Sequence, residues 1–408
     1  MDRAACVELD LADTLAGRRD AIALPDGVIY LDGNSLGALP RSVAARMRSV
    51  VEQEWGGGLI RSWNEAGWVD LPARVTQRLA PLVGADAVEV AVGDSTSVGL
   101  FKVLAAARAL RPERRVVVTE QGNFPTDLYV AEGLSRLLGD VEVRVVATDE
   151  LADALTSEVA VLALTHVDYR TGRRHEATAL TAAAHEVGAL TVWDLAHSAG
   201  ALDVDLHGWN ADFAVGCSYK YLNGGPGAPG WLYAARRWHA QARSPIQGWF
   251  GHAEPFAFGP GYVPADDARR FLAGTPHVLS TAALEQALEV FDGVSPTDLD
   301  AKARSLTDTF IALVEARCGD AVELASPRDA AGRGAQVSLR HPQAYALTQA
   351  LIDRGVIGDH RPPDLVRLGF APLYVRHVDV FDAVEVLADV LATGAWDRPG
   401  YHRRRTVT

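Results

Sequence analysis

At 408 residues, with 48% apolar side chains, 20 prolines and a net charge of −13 from 39 basic and 52 acidic groups, the chain reads as an ordinary globular protein of two domains. The acidic balance argues against nucleic acid or an anionic membrane as the main partner and leaves a small molecule as the expected one. Cys6, Cys217 and Cys318 are too few and scattered for a disulfide framework or a thiolate zinc site, which points to a reducing cytosol.

Asp2, Arg3, Glu8 and Asp10 stand where an export signal would be apolar, and no stretch reaches the ~18 apolar residues of a membrane span. Residues 1–24 carry a helical pattern, Val28–Leu31 a short strand, and Asp32-Gly33-Asn34 a turn. A helix is predicted from Pro40 to about Trp55, with Val43, Met47, Val50 and Val51 on one face. Strands then alternate with helices. Strands are predicted at Val88–Val92, Arg115–Thr119, Val141–Val146, Glu158–Thr165, Leu190–Asp194 and Asp212–Cys217, and helices at Val98–Leu110, Thr126–Leu138 and Ala179–Val187. Apolar strands separated by amphipathic helices imply an α/β domain with a mostly parallel sheet covered on both faces. Beyond about residue 280 come longer helices, Thr281–Phe291 and Asp300–Arg317, with strands near Ala335–Arg340 and Val366–Gly369. The expected division is residues 1–50 as a segment packing with a small domain, 51–280 as the large domain and 281–408 as the small α+β domain.

The chain holds three lysines, Lys102, Lys220 and Lys302, among many arginines. A lysine kept in such a background suggests chemistry closed to guanidinium, because a buried ammonium can lose its proton and become a nucleophile. Lys220 lies in Ser218-Tyr219-Lys220-Tyr221-Leu222-Asn223-Gly224-Gly225-Pro226-Gly227, just past an apolar strand. A chance surface lysine is the ordinary alternative, so its neighbours must decide.

Two pattern matches point elsewhere. Gly225, Gly227 and Gly230 fit a dinucleotide fingerprint, but Pro226 and Pro229 remove amide donors and no strand-turn-helix surrounds them. Gly33-Asn34-Ser35-Leu36-Gly37 fits a nucleophile elbow, although only about thirty residues precede Ser35 and an elbow needs a central strand. His175-Glu176 and His185-Glu186 lack a second histidine four residues after the first, which leaves metal catalysis unsupported.

The remaining signals converge. Gly93-Asp94-Ser95-Thr96-Ser97 joins a strand to a helix, placing hydroxyls and free amides at a positive helix end, the outline of a phosphate site. A plain helix cap is the alternative. Asp194 ends an apolar strand at the edge where open α/β sheets bind ligands, and His197 follows three residues on. A buried aspartate needs a partner, and a protonated pyridine nitrogen would be one. Asp194 and Lys220, each at the end of an apolar strand, match the fold-type I enzymes of pyridoxal 5′-phosphate, which need a lysine for the aldehyde, an acid for the ring nitrogen and an anion site for the phosphate.

With these residues in place the chain resembles the kynureninase family, within the class V aminotransferase-like superfamily. The likeness runs through Tyr30-Leu31-Asp32-Gly33-Asn34-Ser35-Leu36-Gly37, Arg61-Ser62-Trp63-Asn64, Asp94-Ser95-Thr96-Ser97, Phe124-Pro125-Thr126-Asp127 and Trp193 to Gly200. It continues through the Lys220 segment, Gly248 to His252, Gly274-Thr275-Pro276 and Gly369 to Tyr374. The resemblance implies a seven-stranded sheet and a homodimeric cytoplasmic enzyme of tryptophan catabolism, on the kynurenine route toward NAD, with pyridoxal phosphate as cofactor and no metal. It implies hydrolytic Cβ–Cγ cleavage of L-kynurenine to anthranilate and L-alanine through an aldimine and a ketimine, and leaves the 3-hydroxy substrate open.

Carried onto this chain, the family pattern assigns Lys220, Asp194 and Tyr219 to catalysis. Thr96, Ser97, Tyr219, Trp249 and Thr275 would hold the phosphate, the last two supplied by one subunit or its partner. Phe124 would stack on the ring, with Thr126, Asp127, Thr165, Asp194 and His197 around it. Arg367 would take the substrate carboxylate through its guanidinium fork, beside Asn34 and Ser35. Gly99 stands where the pattern has asparagine and His277 where it has a second proline, while Trp231 reads as a packing variation. The alternatives are another fold-type I lyase, such as a cysteine desulfurase, and a serine hydrolase built on Ser35.

Overall fold

The computed structural model describes residues 1–404. Helix α1 (Arg3–Leu11) starts on Asp2, whose carboxylate accepts from the Ala5 amide at 2.9 Å. Helix α2 (Arg41–Ser49) is shorter than its sequence predicts: from Val50 to Gly58 the backbone winds as a π-helix, and Leu59 has φ 53°. Gly56, Gly57 and Gly58 are poor helix formers, and Ser62 Oγ donates to the Glu54 carbonyl at 2.6 Å, so the α pattern has little to hold it. Helix α3 (Leu71–Leu79), unforeseen in the sequence, buries Leu71, Val75 and Leu79 and turns Arg74 and Arg78 toward Glu285 and Asp292.

Seven strands, counted among the described residues, make the main sheet: β1 (Val90–Val92), β2 (Val116–Glu120), β3 (Glu142–Val146), β4 (Val159–Thr165), β5 (Leu190–Asp194), β6 (Phe213–Cys217) and β7 (Gly230–Ala234). Their order is β1-β7-β6-β5-β4-β2-β3. Strands β2 to β6 pair in parallel, whereas β7 runs antiparallel to both β1 and β6. Every residue of β2, β4, β5, β6 and β7 is buried, as expected for strands covered on both faces. Helices α4 (Thr96–Ala109), α5 (Pro125–Leu138) and α6 (Ala177–Glu186) connect them. The register sets Thr165 beside Asp194 and Asp194 beside Val215, so the carboxyl ends of β4, β5 and β6 meet at one edge. Strand β7 escaped sequence reading because it follows the glycine-proline turn directly. Its first residue, Gly230, is obligatory in a physical sense: a Cβ there would stand 2.7 Å from the Thr96 amide nitrogen.

Further on, α7 (Val278–Ala287) and α8 (Pro296–Cys318) precede an antiparallel sheet of β8 (Glu323–Leu324), β9 (Gln336–Arg340), β10 (Asp359–Arg361) and β11 (Leu365–Gly369) in the order β8-β9-β11-β10. Helix α9 (Ala344–Ile352) and helix α10 (His377–Thr393) complete this part. The chain's start leans on it. Asp10 accepts from the His377 and Val378 amides at 2.6 and 3.0 Å, and the Gly369 amide donates to the Leu31 carbonyl at 2.7 Å. No helix of the described residues is long and apolar enough to cross a membrane.

Candidate active site

Each lysine has a distinct environment. Lys102, fully buried, binds Asp94 at 2.5 Å and the Phe271 carbonyl at 2.6 Å, and Lys302 binds Asp13 at 2.6 Å. Both are structural ion pairs. Lys220, three residues beyond the end of β6, makes no carboxylate salt bridge among the described residues. Its Nζ instead lies 2.8 Å from His197 Nε2, with the Phe124 and Tyr219 rings at 6.0 and 5.9 Å. Loss of water around the amine lowers its pKa below the ordinary lysine value, with Cys217 and Asp194 opposing and Arg367 and Arg361 assisting. That is the shift a nucleophilic amine requires.

Two acids face this amine. Asp194 is buried, accepts from the Ala196 amide at 2.7 Å, and is hydrogen-bonded to Asp127, which α5 presents from its first turn. Burial raises Asp194, and burial together with the adjoining Asp194 charge raises Asp127 well above the carboxylate range. Thr165 Oγ1 donates to Asp127 at 3.3 Å and contacts Asn123, whose amide nitrogen reaches Thr119 Oγ1 at 3.0 Å. Two buried carboxyls facing the Lys220 amine fit a protonated ring nitrogen between them and that amine. Thr126 is half-buried at the start of α5, next to Asp127. Phe124 is exposed on the cleft side and meets Tyr169 edge-on at 5.1 Å.

The anion end lies at α4. Ser95 caps the helix by accepting from the Val98 amide at 3.4 Å, and the Gly99 amide bonds the Ser95 carbonyl at 2.9 Å. Among the described residues the Thr96 and Ser97 amides have no acceptor, so two donors remain at the positive helix end. A cleft of about 580 Å³ opens here, lined by Asp94, Ser95, Val98, Tyr219, Gly227 and His277. Burial raises the Tyr219 phenol, so it stays a donor. The cradle suits a phosphate. Gly99 lies away from it, where a Cβ would meet Val215 at 3.6 Å.

Arg367, on β11 and 1% exposed, is held by Asp359 at 2.8 and 2.5 Å, by the Tyr169 carbonyl at 2.6 Å and by Ser35 Oγ at 2.8 Å. The Asn34 amide, with its oxygen turned to the guanidinium, accepts from Nε at 2.9 Å and Nη2 at 3.2 Å. Arg361 reaches the same Asp359 at 2.6 Å. Asp32 lies in this cluster with one buried oxygen unpartnered, and burial and the Asp359 charge push it up to about 7. Ser35 donates to Asp359 at 2.8 Å and accepts from Arg367, a pairing that contains no histidine of the kind a serine triad uses. Gly37 explains the rest of the elbow-like motif: its amide bonds the Tyr219 carbonyl at 2.8 Å, and a Cβ would stand 2.7 Å from Asn223 Cα. It is a contact glycine under the lysine turn.

Trp249 and Thr275 are not brought to the Lys220 cleft within one chain. Trp249 packs on Trp63 at 6.2 Å and Phe256 at 5.5 Å, and Thr275 is exposed on the loop before α7. The two His-Glu pairs are structural: His175 binds Glu120 at 2.7 Å and His185 binds Asp212 at 2.8 Å.

Comparison with known proteins matches this geometry. The family model for the kynureninase C-terminal domain covers residues 299–387. Kynureninase from Pseudomonas fluorescens is 50% identical over 410 residues, covering 99% of both chains, and kynureninase from Deinococcus radiodurans is 55% identical over 96% of this chain and 97% of its own. The chain belongs to the kynureninase family. Among solved structures, a cysteine desulfurase from Thermococcus onnurineus NA1 superposes with a TM-score of 0.76 at 19% identity, covering 92% of this chain and 98% of its own. A mutant of the cystine C–S lyase C-DES, with glycine linked to its PLP cofactor, gives 0.76 at 16% identity, covering 90% and 97%. Such distant likeness establishes the fold-type I architecture and nothing finer.

Within this kynureninase framework, sequence reasoning passed over Asn123, Gln336, Asp359 and Arg361. Gln336 carried a visible signal, a long polar side chain in the apolar strand Ala335-Gln336-Val337. Asp359 and Arg361 carried none, because their meaning depends on β10 lying beside Arg367.

Proposed function

We propose that the chain hydrolyses the Cβ–Cγ bond of L-kynurenine to anthranilate and L-alanine with pyridoxal 5′-phosphate. The observation carrying this reading is the meeting of Lys220 with the Asp127–Asp194 carboxyl pair at one sheet edge, in a chain of the kynureninase family. When bound, the cofactor supplies an electron sink for carbanions at the substrate's α and β positions. Lys220 would hold its aldehyde, Asp194 and Asp127 its ring nitrogen, Phe124 its face, and the Thr96 and Ser97 amides with Tyr219 its phosphate. Asp194, ionised opposite the ring nitrogen, would favour that nitrogen's protonated form. Lys220, lowered by burial, takes and returns the substrate's α-proton. The Arg367 fork with Asn34 and Ser35 orients the α-carboxylate, and Tyr219, kept protonated, donates a proton at the phosphate side.

The chain acts as a cytoplasmic homodimer in this proposal, with the partner's Trp249 and the partner's Thr275 completing each phosphate site. Support comes from neither residue lining the cleft among the described residues of one chain and from exposed apolar groups such as Trp55, Ile60 and Phe258. Lys220→Ala is the direct test: turnover of kynurenine should vanish while circular dichroism stays unchanged. Normal turnover in that variant would end the proposal.

A further inference from the structure

Gln336 is 1% exposed on β9, yet it reaches across to His197, the neighbour of Lys220. Its Nε2 donates to the carbonyl oxygens of Asp168 and Tyr169, each at 3.1 Å. Carbonyls only accept, so the amide orientation is determined, and Oε1 faces His197 Nδ1 at 2.9 Å. An amide oxygen also only accepts, which places the imidazole proton on Nδ1. Burial, with the Lys220 charge next, holds His197 well below the ordinary histidine value and keeps it neutral. Its Nε2 is therefore bare, and the group facing it at 2.8 Å is Lys220 Nζ, which must donate.

We propose that Gln336 is a positioning residue that locks His197 in its Nδ1–H tautomer, so that the Nε2 lone pair is the resting acceptor for an N–H of Lys220. With the ring reversed, an N–H would oppose the amine and turn its reactive lone pair toward histidine. The Tyr169 carbonyl that anchors Gln336 also accepts from Arg367 Nη1 at 2.6 Å, so one peptide group ties the lysine's acceptor to the guanidinium. The charges facing the imidazole are Lys220, Arg367 and Arg361, and the titratable groups facing the amine include Asp194 and Cys217. The importance of the lock rests on Lys220 being the reactive amine, whereas its existence does not.

The test is nitrogen NMR of the full chain, free of cofactor, with isotope-labelled histidine; His197 is assigned by the loss of its signals in His197→Asn. The expected result is a protonated Nδ1 and a bare Nε2, unchanged across the range of about pH 5–8 where a free histidine titrates. In Gln336→Met, which keeps length but has no acceptor, both tautomers should be populated and the pH profile of Lys220 amine labelling should shift. Gln336→Glu should restore the Nδ1 proton and bring His197 titration into the observable range. A wild-type proton on Nε2 overturns the proposal, whether or not the Gln336 variants fold. An unmoved tautomer in Gln336→Met overturns it as well. Neither result bears on kynurenine turnover, so the two readings fail separately.

Discussion

Replacing Arg367 with alanine removes two things at once, and the structure allows them to be separated. Substrate recognition loses a charge-assisted pair, about 1.5–3 kcal/mol, which corresponds to a KM increase of roughly 10- to 150-fold at about 1.4 kcal/mol per decade. Stability loses the principal partner of Asp359, a carboxylate held at 2.8 and 2.5 Å in a site with Arg367 only 1% exposed. Breaking one side of a buried pair costs about 3–5 kcal/mol, and the remaining bond from Arg361 at 2.6 Å sets the expectation at the lower end. Removing Asp359 as well should recover most of the lost stability, because no uncompensated carboxylate is left behind. It should not recover KM. Urea denaturation of the single and double variants reads the first effect, and initial rates over a kynurenine series read the second. A double variant with KM within about twofold of wild type would refute the assignment of Arg367 to the substrate carboxylate.

Asp32 makes the same site pH-dependent. Its pKa of about 7 arises from burial first and from Asp359 second, so the cluster gains a negative charge as pH rises through neutrality, and KM for an anionic substrate should rise with it. Asp32→Asn should flatten that dependence. The stability sign follows: a folded pKa above the unfolded value of about 3.9 means the penalty is absent in acid and complete above about pH 7. The asparagine variant should therefore gain in melting temperature at about pH 8 and scarcely at all at about pH 4, and a gain independent of pH would contradict the assignment. Gly37→Ala should destabilise by about 1–3 kcal/mol or more, since the new methyl meets Asn223 backbone instead of a yielding side-chain tip. Gly133→Ala, in α5 with nothing within 4 Å of the new Cβ, should instead stabilise by about 0.5–1 kcal/mol, and equal effects at the two positions in urea titrations would disprove the contact argument.

The parallel core was legible because β2, β4, β5 and β6 are wholly buried and so read as unbroken apolar runs. Strand β7 was not, since its pairing with β6 and β1 is antiparallel and its approach is a run of glycine and proline. The predicted helix through Trp55 failed where local glycine content outweighed apolar spacing, a conflict visible only once Ser62 is seen bonding the Glu54 carbonyl. At the site, Asp194 and the Ser95 cap were legible because one ends a strand and the other starts a helix, and Lys220 because it follows a strand by three residues. Asn123 and Gln336 act through residues distant in sequence, Thr165 and His197, and Asp359 through Arg367 on the neighbouring strand, so only folding brings those partners within hydrogen-bond reach. Ser35 illustrates the opposite error of a motif: the same five residues that imitate a nucleophile elbow form a guanidinium contact and a glycine seat for the lysine turn.

The most direct test of the central claim is to add L-kynurenine to the pyridoxal-phosphate-loaded protein while following its visible absorbance and product fluorescence together. The account predicts a change in the cofactor band with the growth of anthranilate fluorescence and an equal amount of L-alanine. A loaded protein that forms neither product, or that releases sulfur from cysteine instead, would contradict it.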